Sequence, residues 1–168
     1  GRPVSFPVTA ITVGFSNLHA KRYPATRPGK RSMPFEFNEH DKGIYIRYFD
    51  FVAPSDLFAS RDVIRALPNH DKFEFALCDF MDMDTDCVWA MTPEIAEAVG
   101  RRNIESPGNL ATLRKLALVS SSQKILELLQ FYAEKHKSAP NAEARLFRSL
   151  RPAWAWVGND GLSDNFSD

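Results

Sequence analysis

Residues 113 to 158 read LRKLALVSSSQKILELLQFYAEKHKSAPNAEARLFRSLRPAWAWVG, and this stretch decides the fold. Leu116, Ala117, Leu118 and Val119 are apolar at every position, as strands are when a parallel sheet covers them on both faces. A serine cluster follows (Ser120, Ser121, Ser122), and then Ile125, Leu128, Leu129 and Tyr132 recur at helical spacing. Ala144 to Phe147 reads as a second short strand, and Ser149 caps a last helix with Ala153, Trp154, Trp156 and Val157 on its apolar face. Pro152 is tolerated there because it falls in the first turn. The linking helix is long enough to carry the chain back over the sheet, which makes the two strands parallel.

The same alternation runs back toward the N-terminus. Phe73 to Phe80 turns from alternating to apolar and reads as a central strand, with Asp79, Asp82, Asp84 and Asp86 at its C-terminal end. Thr92-Pro93-Glu94 supplies an N-cap, a proline at the first helical position and an acid in the first turn, for a helix to about Arg102 and a loop over residues 103–109. Upstream, Ser55 and Asp56 offer cap chemistry for a helix to Leu67, with Leu57, Phe58, Val63, Ile64 and Leu67 in helical spacing before Pro68 and Asn69. Pro34 to Asn38 and Ile44 to Val52 read as a β-hairpin linked through His40, Asp41, Lys42 and Gly43. The expectation is an α/β domain over residues 33–158, with one mixed, mostly parallel sheet of about five strands and four flanking helices. A polar tail, 159–168, follows it.

The chain of 168 residues has room for one such domain. Residues 1–32 differ in composition from the rest, carrying Arg2, Lys21, Arg22, Arg27, Lys30 and Arg31, four prolines and no acid. They read as a basic, irregular leader or tail, either upstream of a natural start at Met33 or an organellar or surface-binding presequence. The other residues hold 15 basic and 21 acidic side chains, a net −6, and an acidic body is a poor nucleic-acid binder. Cys78 and Cys87 sit in or beside apolar runs and form no Cys-x-x-Cys pair, so they are expected as free thiols in a reducing cytoplasm. No run approaches the length of a transmembrane helix.

This order of elements resembles the STAS fold of anti-sigma factor antagonists and sulfate transporter tails, and most of all the small bacterial anti-sigma-antagonist-like proteins. The likeness rests on Phe75-Ala76-Leu77-Cys78-Asp79, Thr92-Pro93-Glu94, Leu116-Ala117-Leu118-Val119, and Glu143 to Ser149 followed by Ala153-Trp154-Ala155-Trp156-Val157. It implies a domain that works by docking onto a protein partner. Some members are switched by phosphorylation at the start of the helix after the third strand. The matching residue here is Thr92, but Ala90-Met91-Thr92-Pro93 lacks the usual Asp-Ser pair and following glycine, and Thr92 reads as a plain N-cap. A related architecture in lipid-transfer proteins holds an apolar ligand between helices and sheet.

Candidate chemistry is sparse. Asp79, Asp82, Asp84 and Asp86 lie past a strand end, where carboxylates could hold Mg²⁺. Asp82-Met83-Asp84-Thr85 loosely matches the Asp-x-Asp motif of haloacid-dehalogenase-type phosphatases, with Gly158-Asn159-Asp160-Gly161 as a distant acidic loop. The conventional threonine is replaced by Asp86, so these read as solvated loop acids. Ser120, Ser121 and Ser122 sit at a strand-to-helix turn without a glycine-rich loop, which favours capping over anion binding. His19, His40, His70 and His136 make no metal pair. Trp89, among Cys87, Val88 and Met91, marks a loop that exposes apolar surface.

The expectation is therefore a non-enzymatic protein-interaction domain without a cofactor or metal. Its surface would be the loop bearing Asp82, Asp84, Asp86, Trp89 and Thr92, beside the turn Ser120, Ser121 and Ser122, because loops at the C-terminal ends of parallel strands carry function. A binder of a small apolar ligand or lipid comes second, to be distinguished by a closed pocket between helices and sheet. A Mg²⁺-dependent phosphatase comes last. A short exposed edge at Pro34 to Asn38 would allow a homodimer.

Overall fold

The computed structural model describes residues 22–26, 32–105, 112–136 and 142–158. The strands are β1 (Arg22–Thr26), β2 (Ser32–His40), β3 (Gly43–Asp50), β4 (Phe75–Met83), β5 (Lys115–Val119) and β6 (Glu143–Phe147); the helices are α1 (Pro54–Arg65), α2 (Pro93–Glu105), α3 (Gln123–His136) and α4 (Leu150–Val157). The result is α/β, with the strands side by side in chain order. From β2 onward they make the expected five-stranded, mixed sheet, antiparallel between β2 and β3 and parallel from β3 to β6. Residues 1–21, 27–31 and 159–168, which include most of the basic leader and the polar tail, lie outside the described residues, as do 106–111 of the loop after α2.

Three details differ from the reading of the sequence. Part of the expected irregular leader, Arg22–Thr26, is a strand that pairs antiparallel with β2. Pro34 to Asn38 therefore lies inside the sheet, and the edge expected to support a homodimer is covered. Next, the hairpin link shortens to Asp41-Lys42, with His40 and Gly43 paired as the last rung of the ladder. Only glycine fits at position 43, since a Cβ there would stand 2.5 Å from three atoms of the Phe75 ring. Finally, β4 continues to Met83, placing Asp79 and Asp82 within the strand.

The first helix also starts earlier than Ser55. Its N-cap is Ala53 with Pro54 at the first helical position, and the cap is closed by Asp56, whose Oδ2 accepts from the Ala53 N–H at 2.8 Å. The acid thus satisfies an end donor that alanine's own side chain could not.

Side-chain alternation divides the core into two layers. Phe35, Phe37, Ile44, Ile46, Leu116 and Leu118 face α1, α2 and α3 on one side. On the other side Tyr45, Phe75, Leu77, Ala117 and Val119 face α4. Parallel neighbours joined in order by crossovers of one hand put their helices on one face, so among the described helices the last one is left to cover the other. It does so with Trp154, 1 % exposed, whose ring packs against Tyr45 at 5.4 Å and His40 at 5.3 Å. Gly158 closes α4 in the left-handed conformation, φ 86°. Lys115 Nζ donates to the Trp156 carbonyl at 2.6 Å, a cation against the negative end of the helix.

Candidate functional site

The layer between the sheet and α1, α2 and α3 is incompletely filled. A cavity of about 160 Å³ lies there, walled by Ile46, Leu116 and Leu118 of the sheet, Ile64 of α1, Val99 of α2 and Ile125 of α3. The strand pattern registers it directly. In central strand β4, Phe75, Leu77 and Asp79 are buried toward α4, whereas Ala76 and Cys78 on the opposite face stay half-buried, because the area they keep opens on the cavity. Helix α1 carries the same signature: its two buried residues are Asp56 and Ser60, while Leu57 and Ile64, which line the cavity, are half-buried. A helix that packed tightly would bury its apolar stripe instead.

The ionisable groups of this wall are neutral or basic. Burial, then the neighbouring Asp79 charge, pushes the Cys78 thiol up to about 12, so it holds its proton and is no nucleophile near neutral pH. The Tyr48 hydroxyl, also raised by burial, shares a 2.8 Å hydrogen bond with Ser60 Oγ, which in turn donates to the Leu57 carbonyl at 2.8 Å. Arg61, Arg65 and His70 contribute to its lining, and among the described residues no carboxylate does. All three are half-buried, whereas Leu118 and Ile125 deeper in are 1 % and 2 % exposed.

The residues singled out from sequence do not line this cavity. They lie at the C-terminal ends of β4 and β5, where the 3₁₀ turn Thr85–Trp89 packs beside α3. The four carboxylates diverge. Asp79 is buried, accepting from Tyr45 Oη at 2.5 Å and from the Met81 N–H at 2.8 Å, and burial raises its pKa despite both bonds. Asp82 takes two hydrogen bonds from Arg47, at 2.9 and 2.7 Å, on the side of the sheet that α4 leaves open, where Glu36 takes a third. Asp84 caps the 3₁₀ turn through the Asp86 N–H at 2.9 Å, and Asp86 is exposed. Among the described residues, no three His, Cys, Asp or Glu side chains gather as a metal would require.

Capping accounts for most of the rest. Thr92 Oγ1 accepts from the Ile95 N–H at 3.3 Å at the start of α2. Ser120, 1 % exposed, accepts from the Ser122 N–H at 3.2 Å, Ser122 Oγ faces the Ile125 N–H at 3.5 Å, and Ser121 points outward. Trp89 has no such duty. It is 85 % exposed on a turn that is itself pinned, since Cys87 Sγ accepts from the Val52 N–H at 3.0 Å and Asp84 N–H donates to the Asp50 carbonyl at 2.8 Å.

Arg61, Arg65 and His70 escape a reading of motifs because an apolar chamber has none. One signal was present: positions 57, 61, 64 and 65 share a helix face, so two arginines interrupt the apolar stripe of α1. Among the described residues, no helix is long and apolar enough to cross a membrane. Comparison with protein-family models, with curated proteins and with solved structures gives no match to this chain.

Proposed function

We propose that this chain is a non-enzymatic binding protein for a small apolar molecule, held between α1, α2 and α3 and the sheet. The observation that carries this reading is the 160 Å³ apolar cavity, the feature that distinguishes a ligand binder from a docking module of the same architecture. A space of about 150 Å³ lined by aliphatic and aromatic side chains stays dry and admits a ring of about six carbons. A cavity left empty in a core is destabilising in proportion to its volume, so an occupant of matching size stabilises the fold. The neutral Cys78 and Tyr48 in its wall support retention of the ligand without reaction. Free thiols at Cys78 and Cys87 suit work in the cytoplasm.

The test is a methyl NMR titration with 1-heptanol. The expected result is saturable shifts confined to Leu116, Leu118, Ile125 and their neighbours in the wall. Shifts spread over the surface, or none, would refute the reading.

A second reading, protein docking of the kind the STAS resemblance implies, is favoured by Trp89. A large aromatic side chain exposed on a pinned turn is a common anchor for a partner. Affinity capture with the wild type and with Trp89→Ala tests it: a partner retained equally by both removes this turn as the contact.

A further inference from the structure

The turn from Thr85 to Trp89 presents an aromatic ring and a carboxylate together. Residues three apart in a 3₁₀ turn eclipse, so Asp86 and Trp89 stand on one edge of it, while Cys87 between them is fully buried. Trp89 is 85 % exposed, and Asp84 and Asp86 are exposed as well. The strand end beside the turn adds Asp50 and Phe51, both exposed. The two segments are stitched together, since Asp84 N–H donates to the Asp50 carbonyl at 2.8 Å and Val52 N–H to Cys87 Sγ at 3.0 Å. The patch therefore has its shape before any partner arrives, and little order is lost on binding.

Its charge is one-sided. Asp50, Asp84 and Asp86 form no ion pair with any described residue, and Arg47, the cation of the adjoining strand, has given its donors to Asp82 and Glu36. An apolar partner that covered Trp89 and Phe51 would strip water from these carboxylates and offer them nothing in return. A cation suits both components, because the indole face attracts it and the carboxylate pairs with it. Guanidinium suits them better than ammonium: it is planar, stacks on an aromatic ring and still bonds a carboxylate through its edge.

We propose that this turn docks an arginine-bearing segment of a partner protein, with the guanidinium stacked on Trp89 and bonded to the Asp86 carboxylate. This rests on the docking reading of Trp89 and adds the partner's chemistry; it is independent of the cavity.

An NMR titration of the full chain, followed at backbone and indole N–H groups, tests it with short peptides that alternate serine with arginine, lysine or leucine. The arginine peptide should shift the Trp89 indole and the amides of residues 84–89 saturably, more tightly than the other two and less so as salt is raised. Asp86→Asn and Trp89→Ala, both at exposed positions, should each weaken it about twofold to fivefold, the range of one exposed cation–π contact or charged pair. A lysine or leucine peptide that binds as tightly as the arginine peptide overturns the arginine assignment and leaves the docking reading standing. No shift at the turn with the arginine peptide overturns the assignment too, and the capture comparison with Trp89→Ala then decides the docking reading separately. Shifts at Trp89 that grow with protein concentration alone give the surface to a second copy of this chain and also overturn it.

Discussion

Ala96→Leu separates a true cavity from a tightly packed core by the sign of its effect. Ala96 is a buried residue of α2 whose side chain borders the space beneath α1. Leucine adds three carbons there, and at about 0.8 kcal/mol per buried methylene the gain is about 2.4 kcal/mol. Fixing the new side chain costs about 0.5–1 kcal/mol of rotamer freedom, and leucine is nearly as good a helix former as alanine. The net expectation is a stabilisation of about 1.5 kcal/mol, seen as a melting temperature about 5 °C higher by calorimetry and as a higher urea midpoint at unchanged slope. In a filled core the same change would lose about 1–3 kcal/mol through strain. A destabilised Ala96→Leu would therefore refute the cavity. The variant should also lose 1-heptanol binding, because the new side chain occupies the site.

Gly43→Ala should cost about 1–3 kcal/mol in urea unfolding; Gly43 is not among the positive-φ glycines, so the damage is the collision with the buried Phe75 ring. Asp79→Asn should flatten the pH dependence of stability. Burial raises the native pKa of Asp79, so the protonated form favours folding below the ordinary carboxylate range, and that contribution is lost as pH rises through the native value. At pH 8 the asparagine variant should be at least as stable as the wild type, and a clear loss in chemical denaturation would contradict this account. Trp89→Ala should change stability by no more than about 0.5 kcal/mol, since the side chain is 85 % exposed; a large loss in the melting curve would show a structural role.

The architecture was legible because it is written in periodicities. Leu116 to Val119, the stripe from Ile125 to Tyr132 and the Trp154 face each specify an element and the side it buries, and the sheet with its four helices follows. Boundaries were less legible. The cap of α1 lies at Ala53, a residue with no capping side chain, because Asp56 acts from inside the first turn. Strand β1 was hidden by Arg22 and Pro24 and by the basic, proline-bearing sequence around it, features common in tails and also tolerated at a sheet edge. The carboxylates between Asp79 and Asp86 looked like a group because they are close in sequence, yet Asp79 is held by Tyr45, Asp82 by Arg47, and Asp84 by the cap of the 3₁₀ turn, so they do not converge. The cavity was least legible, since a space is defined by what neighbouring elements fail to fill. Its one sequence mark was the pair Arg61 and Arg65 within an apolar helix face.

The central claim is that an apolar chamber lies between the sheet and α1, α2 and α3. Diffraction from crystals held under xenon pressure tests it most directly, because xenon enters dry apolar cavities of this size without altering their chemistry. The account predicts a single strong xenon peak enclosed by Leu116, Leu118 and Ile125, and its absence from Ala96→Leu crystals. A wild-type core with no peak there, with α1 packed down onto Ala76 and Cys78, would contradict it.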